Sequence, residues 1–390
     1  MLVWTGVSTD TRVLREATTL VEAGWDVHVV GRAVPPDFVP PGGISVSSLG
    51  TPPAAQTRGR DLTRLERVAR WALLPEHVSR RLRRWQRDAL VEGRRHRADV
   101  VHAHDFSALP VGAELAEEWQ VPLVYDSHEL WSGRPREGRP TPLRSRTESR
   151  REQALGARAA VVLTVGEGVA EALRREHGWR DVRVVRNTVP APPQPPRVAA
   201  QPSAALYAGR IAAYRELEVL ARASGRAPLP IAMMGPTDEH FLARFDAGAA
   251  ELRPGLPPDE VDQALSAAGL ALVTHSDRWA NHRLALPNKL FHAVRAGVPV
   301  VATDVGELAR VVREHDLGEL YRPGDADDLV RAMRRAVERY PQLRANVAQA
   351  ATVLTWAADA ATLTSVYEAF GASQPPGILG RQPGRSKEVS

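Results

Sequence analysis

The residue types best suited to chemistry gather at the start of one helical segment in the second half of the chain. Pro287 precedes Asn288 and Lys289, and His292 follows one turn later. We expect Asn288 to cap this helix, whose first amide groups are free to bind an anion, and Lys289 adds a positive charge beside them. His292 can reach the same opening. The segment predicts an anion-binding site, and the alternative is a capped helix with nothing bound.

Two arginines form a second candidate group. Gly209 and Arg210 follow an apolar segment, and Arg215 comes shortly after. A glycine lets the backbone approach a ligand, and guanidinium groups suit a pyrophosphate because each can bind two oxygens. All but two of the 51 basic residues are arginine, and the two lysines are Lys289 and Lys387. Taken alone, Arg215 is therefore better explained as an ordinary surface arginine than as a ligand-binding residue. For Lys289, chance and a need for a compact ammonium group are equally good explanations.

Polar residues also follow predicted strands in the first half of the chain. His104 and Asp105 end one apolar segment, and His128 and Glu129 end the next. In open parallel sheets, ligands bind at the carboxyl ends of the strands. Because strands in the second half have similar polar ends, the pattern predicts a cleft that is lined from both sides.

The elements that must position these residues alternate between short β-branched segments and longer helical patterns, which is typical of parallel sheets in doubly wound layers. The predicted strands are 1–4, 27–30, 100–104, 123–127, 160–165, 182–186, 205–208, 231–234, 249–252, 270–274, 298–302 and 319–321. The predicted helices include 12–23, 111–119, 217–223, 259–267 and 289–296. We therefore expect an α/β fold.

A proline-rich stretch divides the chain. Residues 190–202 follow a predicted strand and read as an extended, semi-rigid linker. The expected domains are 1–189 and 203–355. A helix at 356–370 is expected to follow and to pack back on the first domain, and the Pro-, Gly- and polar-rich tail 371–390 is expected to be disordered.

Length and composition indicate a globular protein and exclude some kinds of site. The chain has 390 residues, of which 43% are apolar and 25% charged, as in soluble globular proteins of two domains. It has no run of 18 apolar residues, and its start lacks the basic and apolar regions of a secretion signal, which predicts a cytoplasmic protein. The absence of cysteine excludes disulfides and thiolate metal sites.

An Arg-rich helical segment runs from Arg58 to Arg97, and a second basic stretch covers 134–151. These segments fit a solvated helical face, which the arginine-rich composition favours. The alternative is contact with an anionic acceptor or with an anionic membrane, on its inner face. Nucleic acid is not an expected partner, because no recognised binding module is present and aromatic residues are too few for stacking platforms.

Six short motifs follow one another in an order that resembles glycosyltransferase family 4. They are Asp99-Val-Val-His-Ala-His-Asp, Val124-Tyr-Asp-Ser-His-Glu-Leu-Trp, Val184-Val-Arg-Asn, Tyr207-Ala-Gly-Arg, Leu286-Pro-Asn-Lys-Leu-Phe and Gly297-Val-Pro-Val-Val-Ala-Thr-Asp. Each motif is weak alone, but their order matches across residues 10–370. The resemblance implies the GT-B fold, in which two Rossmann-like, doubly wound parallel-sheet domains face each other across a cleft. It also implies a retaining hexosyl transfer from a nucleotide-diphosphate sugar to an unidentified acceptor, with no metal or other cofactor required.

The resemblance also implies a role for each matching residue. Arg210 and Arg215 match the basic pair that holds the diphosphate, although the family more often has lysine at the second position. His104 matches a histidine that reaches the donor sugar from the first domain. The catalytic residues implied are His104, Arg210 and Arg215, the donor-binding residues are Gly6, Asn288, Lys289 and His292, and the acceptor-side residues are Asp105, His128 and Glu129.

One departure from the family pattern leaves alternatives open. The family commonly has two glutamates spaced eight apart, of which the second contacts the nucleotide ribose, but here Leu284 and His292 stand in their places. This resembles a subgroup with the Pro-Asn-Lys variant. A catalytically inactive, glycosyltransferase-like binding protein is therefore an alternative, although His104, Arg210 and Lys289 count against it. A sugar-nucleotide epimerase of similar fold is a weaker alternative.

A metal-dependent hydrolase is a further alternative, because His102, His104 and His128 could form a metal site. Side chains alternate between the faces of a strand, and we expect His102 and His104 to converge only if the strand end bends. The second nucleotide-type domain argues against the hydrolase, and no metal site is predicted.

Overall fold

The computed structural model describes residues 1–50, 80–134 and 142–372, and it contains two parallel sheets. The first sheet has seven strands in the order β3-β2-β1-β4-β5-β6-β7, and the second has six in the order β10-β9-β8-β11-β12-β13. Helices connect most successive strands and cover both faces of each sheet. The prediction of an α/β, GT-B architecture with two doubly wound domains is confirmed.

The first sheet and its helices span the first half of the chain. Its strands are β1 (Leu2–Gly6), β2 (Val27–Arg32), β3 (Ile44–Leu49), β4 (Val101–His104), β5 (Leu123–Ser127), β6 (Val161–Thr164) and β7 (Val182–Val184). Its helices are α1 (Thr11–Glu22), α2 (residues 80–93), α3 (Asp105–Trp119), α4 (Pro142–Gly156) and α5 (Glu167–His177). The strand order changes direction between the neighbouring strands β1 and β4. Their carboxyl ends therefore border the switch point, where such sheets bind ligands.

The second sheet repeats this plan. Its strands are β8 (Ala204–Ala208), β9 (Ile231–Met234), β10 (Glu251–Arg253), β11 (Gly269–Val273), β12 (Val300–Thr303) and β13 (Gly318–Tyr321). The helices are α6 (Leu217–Ser224), α7 (Glu239–Leu242), α8 (Pro258–Ala268), α9 (Ala280–Leu284), α10 (Asn288–Arg295), α11 (Gly306–Glu314), α12 (Ala326–Glu338), α13 (Tyr340–Ala350) and α14 (Trp356–Ala372). The switch point of this sheet lies between β8 and β11.

Burial explains why the central strands could be read from the sequence. All residues of β5 and β11 are buried, because helices cover both faces of the sheet, so β11 has no polar side chain and β5 is apolar up to Asp126 and Ser127 at its end. Edge strand β3 differs, since its serines alternate with apolar residues and several of its side chains are exposed. The sequence analysis did not predict β3.

The last helix returns to the first domain. The indole Nε1 of Trp356 donates to the Thr19 hydroxyl at 2.9 Å, and Tyr367 packs edge-on against Trp25 with ring centroids 5.2 Å apart. The phenol of Tyr367 is also 2.8 Å from Nδ1 of His102. Helix α14 thus joins the two halves of the chain by buried contacts.

Part of the Arg-rich segment is described. In α2 the arginines face solvent, while Trp85 is 4% exposed and packs edge-on against Trp4 at 5.5 Å between ring centroids. Residues 58–79, residues 135–141 of the second basic stretch and residues 373–390 of the predicted tail lie outside the described residues. Within the described ranges, no helix combines the length and apolar character needed to cross a bilayer.

Candidate active site

A cavity of about 280 Å³ opens at the carboxyl ends of β8, β9 and β11, beside helices α8 and α10. Small and apolar residues line most of it, and the start of α10 contributes three polar residues. The lining residues are Leu206, Ala208, Gly209, Met234, Gly235, Pro236, Gly255, Leu256, Val261, Leu265, Ala271, Leu272, Val273, Asn288, Lys289 and His292. The cavity therefore lies at the switch point of the second sheet, where ligand binding is expected.

Two glycines allow the strand ends to approach each other beside this cavity. Gly235 has a φ of +152°, and a Cβ atom there would lie 2.1 Å from the carbonyl oxygen of Gly209. A Cβ atom on Gly209 would lie 3.3 Å from Cδ of Lys289. Glycine at both positions keeps the lysine side chain close to the strand ends.

Positive charge is concentrated around Lys289. Burial, and then repulsion from Arg215, lower the pKa of Lys289 to about 8. Burial also lowers the pKa of His275 to about 3, helped by His282, Lys289 and Arg215. Among the described residues, no carboxylate forms an ion pair with Lys289 or Arg215. The cluster therefore has uncompensated positive charge, which favours an anionic ligand.

The two predicted arginines are placed differently. The Thr274 hydroxyl donates to the carbonyl of Arg215 at 2.5 Å, which fixes the backbone of Arg215 near Lys289. Arg210 is 62% exposed, and its guanidinium is 3.8 Å from the carboxylate of Asp238. The structure brings Arg215 into the cationic cluster and leaves Arg210 at its rim.

The start of α10 differs from the prediction in one respect. Pro287 is the capping residue, with an extended backbone at φ −70° and ψ 137°, and its side chain cannot cap. The prediction that Asn288 caps the helix is wrong, because the extended Pro287 makes Asn288 the first helical residue. Asn288 is exposed and lines the cavity instead.

His292 is held by a residue that the sequence analysis did not single out. Its Nδ1 lies 3.0 Å from Oδ1 of Asp262 on α8, and Oδ2 of Asp262 is 2.8 Å from Nη1 of Arg295. Leu284, at the position of the first family glutamate, packs against the apolar core of the first domain. Neither family glutamate position thus presents a carboxylate of its own.

In the first domain, a buried carboxylate organises the wall of the cleft. Asp126 accepts two hydrogen bonds from Arg12, at 2.8 and 2.7 Å. Its Oδ2 also lies 3.0 Å from Nδ1 of His104 and 2.8 Å from Nε2 of His128. Burial raises the pKa of Asp126, but Arg12 and the histidines outweigh it and hold that pKa well below its usual range. Asp126 therefore remains ionised and orients both imidazoles.

The two histidines differ in access to the cleft. The His104 side chain is 0% exposed, whereas that of His128 is 20% exposed. Nδ1 of His128 is 3.4 Å from Asp105, whose φ of +59° brings its carboxylate under the His128 amide, at 3.3 Å. Burial opposes protonation of His128, but Asp105 and Asp126 outweigh it and raise its pKa to about 9. In this arrangement His128, and not His104, presents a charged imidazole to the cleft.

Glu129 lies at the contact between the domains. Its carboxylate accepts a hydrogen bond from Nδ2 of Asn281 at 2.8 Å and pairs with Arg134 at 2.8 Å. The same Asn281 amide donates to the carbonyl of Leu130 at 3.0 Å. Gly6 ends β1 at the switch point of the first sheet, and its carbonyl accepts from the Thr9 hydroxyl at 3.1 Å. Gly6 thus lies at the end of β1, and the Glu129 carboxylate is engaged by side chains from the two domains.

The expectation that His102 and His104 diverge is wrong. Residues two apart on a strand share a face, and the two rings stack with centroids 4.3 Å apart and planes 13° from parallel. With Glu16 and Asp126 they form a buried group whose geometry suits a metal ion. Arg12, however, already lies 3.0 Å from Glu16 and 2.7 Å from Asp126, and its charge compensates theirs.

Comparisons with known proteins agree with this geometry. A family model described as a glycosyl transferase 4-like domain matches residues 8–190, and one described as glycosyl transferases group 1 matches residues 203–339. D-inositol 3-phosphate glycosyltransferase 2 of Catenulispora acidiphila is 27% identical over 316 residues, which cover 69% of this chain and 70% of that protein. A D-inositol 3-phosphate glycosyltransferase of Thermobispora bispora is 27% identical over 311 residues, with 70% of each chain covered.

Solved structures show the same fold. Sucrose-phosphate synthase from Thermosynechococcus elongatus superposes with a TM-score of 0.71 at 17% identity, covering 96% of this chain and 99% of that one. Anabaena HepE in complex with UDP superposes with a TM-score of 0.65 at 15% identity, covering 95% and 98%. None of these findings supports the inactive binding protein, the epimerase or the hydrolase. The two family models match most of the chain, one in each domain, and the chain is a GT-B glycosyltransferase that belongs to the family 4 type.

Proposed function

We propose that this enzyme transfers a hexosyl group from a nucleotide-diphosphate sugar to its acceptor with retention of anomeric configuration. The single observation that carries the proposal is the cluster of Lys289 and Arg215, which lacks a counter-ion among the described residues and whose Lys289 lines a largely apolar cavity. A nucleoside diphosphate fits both parts, since its phosphates neutralise the cluster and its base fills the apolar cavity.

The same groups can assist departure of the diphosphate. Negative charge develops on the leaving phosphate oxygens as the bond to the sugar breaks. With the diphosphate bound beside Lys289, Arg215 and the first amides of α10, we propose that these groups stabilise the charge without reorganisation. We propose that these cations make a metal ion unnecessary. Donor binding and transfer should then be unchanged by EDTA, and loss of either on chelation would contradict this part of the proposal.

The state of the carboxylates nearest the cleft bears on the route by which a retaining transfer would occur. Asp105 is close to the charged His128, and Glu129 is engaged by Asn281 and Arg134. Neither is free to act as a nucleophile that attacks the sugar. A retaining double displacement needs such a nucleophile, so for the retention proposed here we favour attack by the acceptor on the same face that the diphosphate leaves. Proton NMR of the product's anomeric centre tests this, because an inverted coupling pattern relative to the donor would exclude it.

The proposed donor site is tested by thermal shift with UDP, ADP and GDP. A ligand that binds only the folded protein raises the midpoint of unfolding, and the effect grows with its concentration. UDP is included because HepE, which shares the fold, was solved with UDP and with UDP-glucose. Lys289→Met should abolish the shift, whereas Arg226→Gln, just after the end of α6, removes one exposed positive charge and should keep it. If none of the three nucleotides stabilises the wild-type protein, the proposal is wrong.

A further inference from the structure

The contact between Asp262 and His292 extends the proposed donor site to a second helix. The Asp262 carboxylate is 3.0 Å from Nδ1 of His292 and 2.8 Å from Arg295. The side chains of Asp262 and Arg295 are 14% and 17% exposed, whereas that of His292 is 26% exposed and lines the cavity. The carboxylate is thus the sheltered member of the pair, and the imidazole is the member that a ligand can reach.

This geometry selects one form of the neutral imidazole. A carboxylate accepts hydrogen bonds, so Nδ1 of His292 must carry the proton that it donates to Asp262. The other ring nitrogen, Nε2, then holds a lone pair and accepts a hydrogen bond. Arg295 holds the carboxylate from its other side and limits its rotation. The pair therefore presents a fixed acceptor at the cavity wall.

The position of this acceptor along α10 matches one part of a nucleoside diphosphate. His292 lies one turn after Lys289, or about 4.5 Å along the helix axis. With the diphosphate at Lys289 and Arg215, the group one bond away from it is the ribose. Elsewhere the lining is mostly apolar, as at Leu206, Met234 and Leu265, which suits the base. A ribose hydroxyl is therefore the donor that comes closest to His292.

We propose that Asp262 is a positioning residue that keeps Nε2 of His292 as a hydrogen-bond acceptor for a ribose hydroxyl of the donor nucleotide. This inference rests on the proposed function, since it needs a nucleoside diphosphate in the cavity. The ribose is thereby bound by His292 on α10, which Asp262 on α8 orients, and α10 itself carries no carboxylate.

The experiment measures affinity by titration calorimetry for UDP, ADP and GDP and for their 2′-deoxy and 3′-deoxy counterparts. In the wild-type protein, loss of the contacted hydroxyl should weaken binding of the preferred nucleotide about tenfold, the cost of a missing partner for a buried polar group. Asp262→Asn should lose about the same factor for the ribonucleotide and little for the deoxynucleotide. Glu260→Gln, an exposed carboxylate on the same helix, is the matched control and should behave as wild type.

Two further variants separate positioning from a structural role. Asp262→Glu keeps the carboxylate and should recover part of the discrimination between ribose and deoxyribose. In a His292→Gln background the imidazole is gone, so adding Asp262→Asn should cost no further discrimination. Nitrogen NMR of labelled histidine, which needs no ligand, should show the Nδ1-protonated form of His292 in the wild type and a mixture of both forms in Asp262→Asn.

The outcomes distinguish failure of the proposed donor site from failure of the proposed role of Asp262. If no nucleoside diphosphate binds the wild-type protein, the proposed function fails and this inference fails with it. If the wild type binds one but Asp262→Asn leaves the ribose preference unchanged, or weakens ribose and deoxyribose forms equally, only the role of Asp262 is overturned. An unchanged tautomer of His292 in Asp262→Asn would overturn it as well.

Discussion

Binding of a nucleoside diphosphate should weaken as the pH rises from 7 to 9, because free Lys289 loses its proton in this interval. Burial and Arg215 lower its pKa to about 8 from an ordinary value of 10.5, and a bound diphosphate brings negative charge that raises the pKa again. If the pKa returns to its ordinary value, the bound lysine stays protonated, while the free lysine falls from about 90% to about 9% protonated. The affinity should therefore fall about tenfold, or about 1.4 kcal/mol.

The assay is titration calorimetry at several pH values with the tightest-binding nucleotide among UDP, ADP and GDP. Lys289→Arg is the matched control, since a guanidinium stays charged throughout this range and its profile reports any titration of the nucleotide itself. The calorimetric signal should also change with the ionisation heat of the buffer, because binding takes up a proton near pH 8. Equal slopes for the wild type and Lys289→Arg would refute the reasoning.

Three other perturbations follow from the geometry. Gly235→Ala should destabilise the protein by about 1–3 kcal/mol in chemical denaturation and weaken nucleotide binding, because the new Cβ would meet the Gly209 carbonyl at 2.1 Å. A variant as stable as the wild type would count against this close approach of the two strand ends. Asn281→Ala removes the hydrogen bonds to Glu129 and to the Leu130 carbonyl, and calorimetry should show that the free energy of unfolding falls by about 1–3 kcal/mol. An unchanged free energy of unfolding would mean that this contact between the domains is not formed in solution. Asp105→Asn removes the largest single attraction that raises the pKa of His128, so an NMR titration should place that pKa below about 9, and an unchanged value would disprove the assignment.

Much of the fold could be predicted because the central strands are buried on both faces. Strands β5 and β9 were predicted at their observed bounds, since β9 is entirely apolar and β5 is an apolar run that ends in Asp126 and Ser127. Helix α3 was predicted to begin only after Pro110, but it begins at Asp105, because a proline in an early turn removes a hydrogen bond without ending the helix. Edge strand β3 was not predicted, because its serines interrupt the apolar run.

The candidate site was predicted only as far as local patterns reach. Polar residues after strands indicated a ligand site at the strand ends, and the proline-preceded start of α10 indicated Lys289, which lines the cavity. Arg12 and Asp126 are 114 residues apart, and Asp262 and His292 are 30 apart, so no spacing rule connects them. Only the folded arrangement shows that a buried carboxylate orients the histidines of each wall.

The most direct test of the central claim is a crystal structure of the protein with the nucleoside diphosphate that stabilises it most. We expect phosphate oxygens within hydrogen-bonding distance of Nζ of Lys289 and the guanidinium of Arg215, and the base in the cavity between α8 and α10. A ribose hydroxyl should lie within about 3 Å of Nε2 of His292. A nucleotide bound elsewhere, or one whose phosphates do not contact Lys289 and Arg215, would contradict the account.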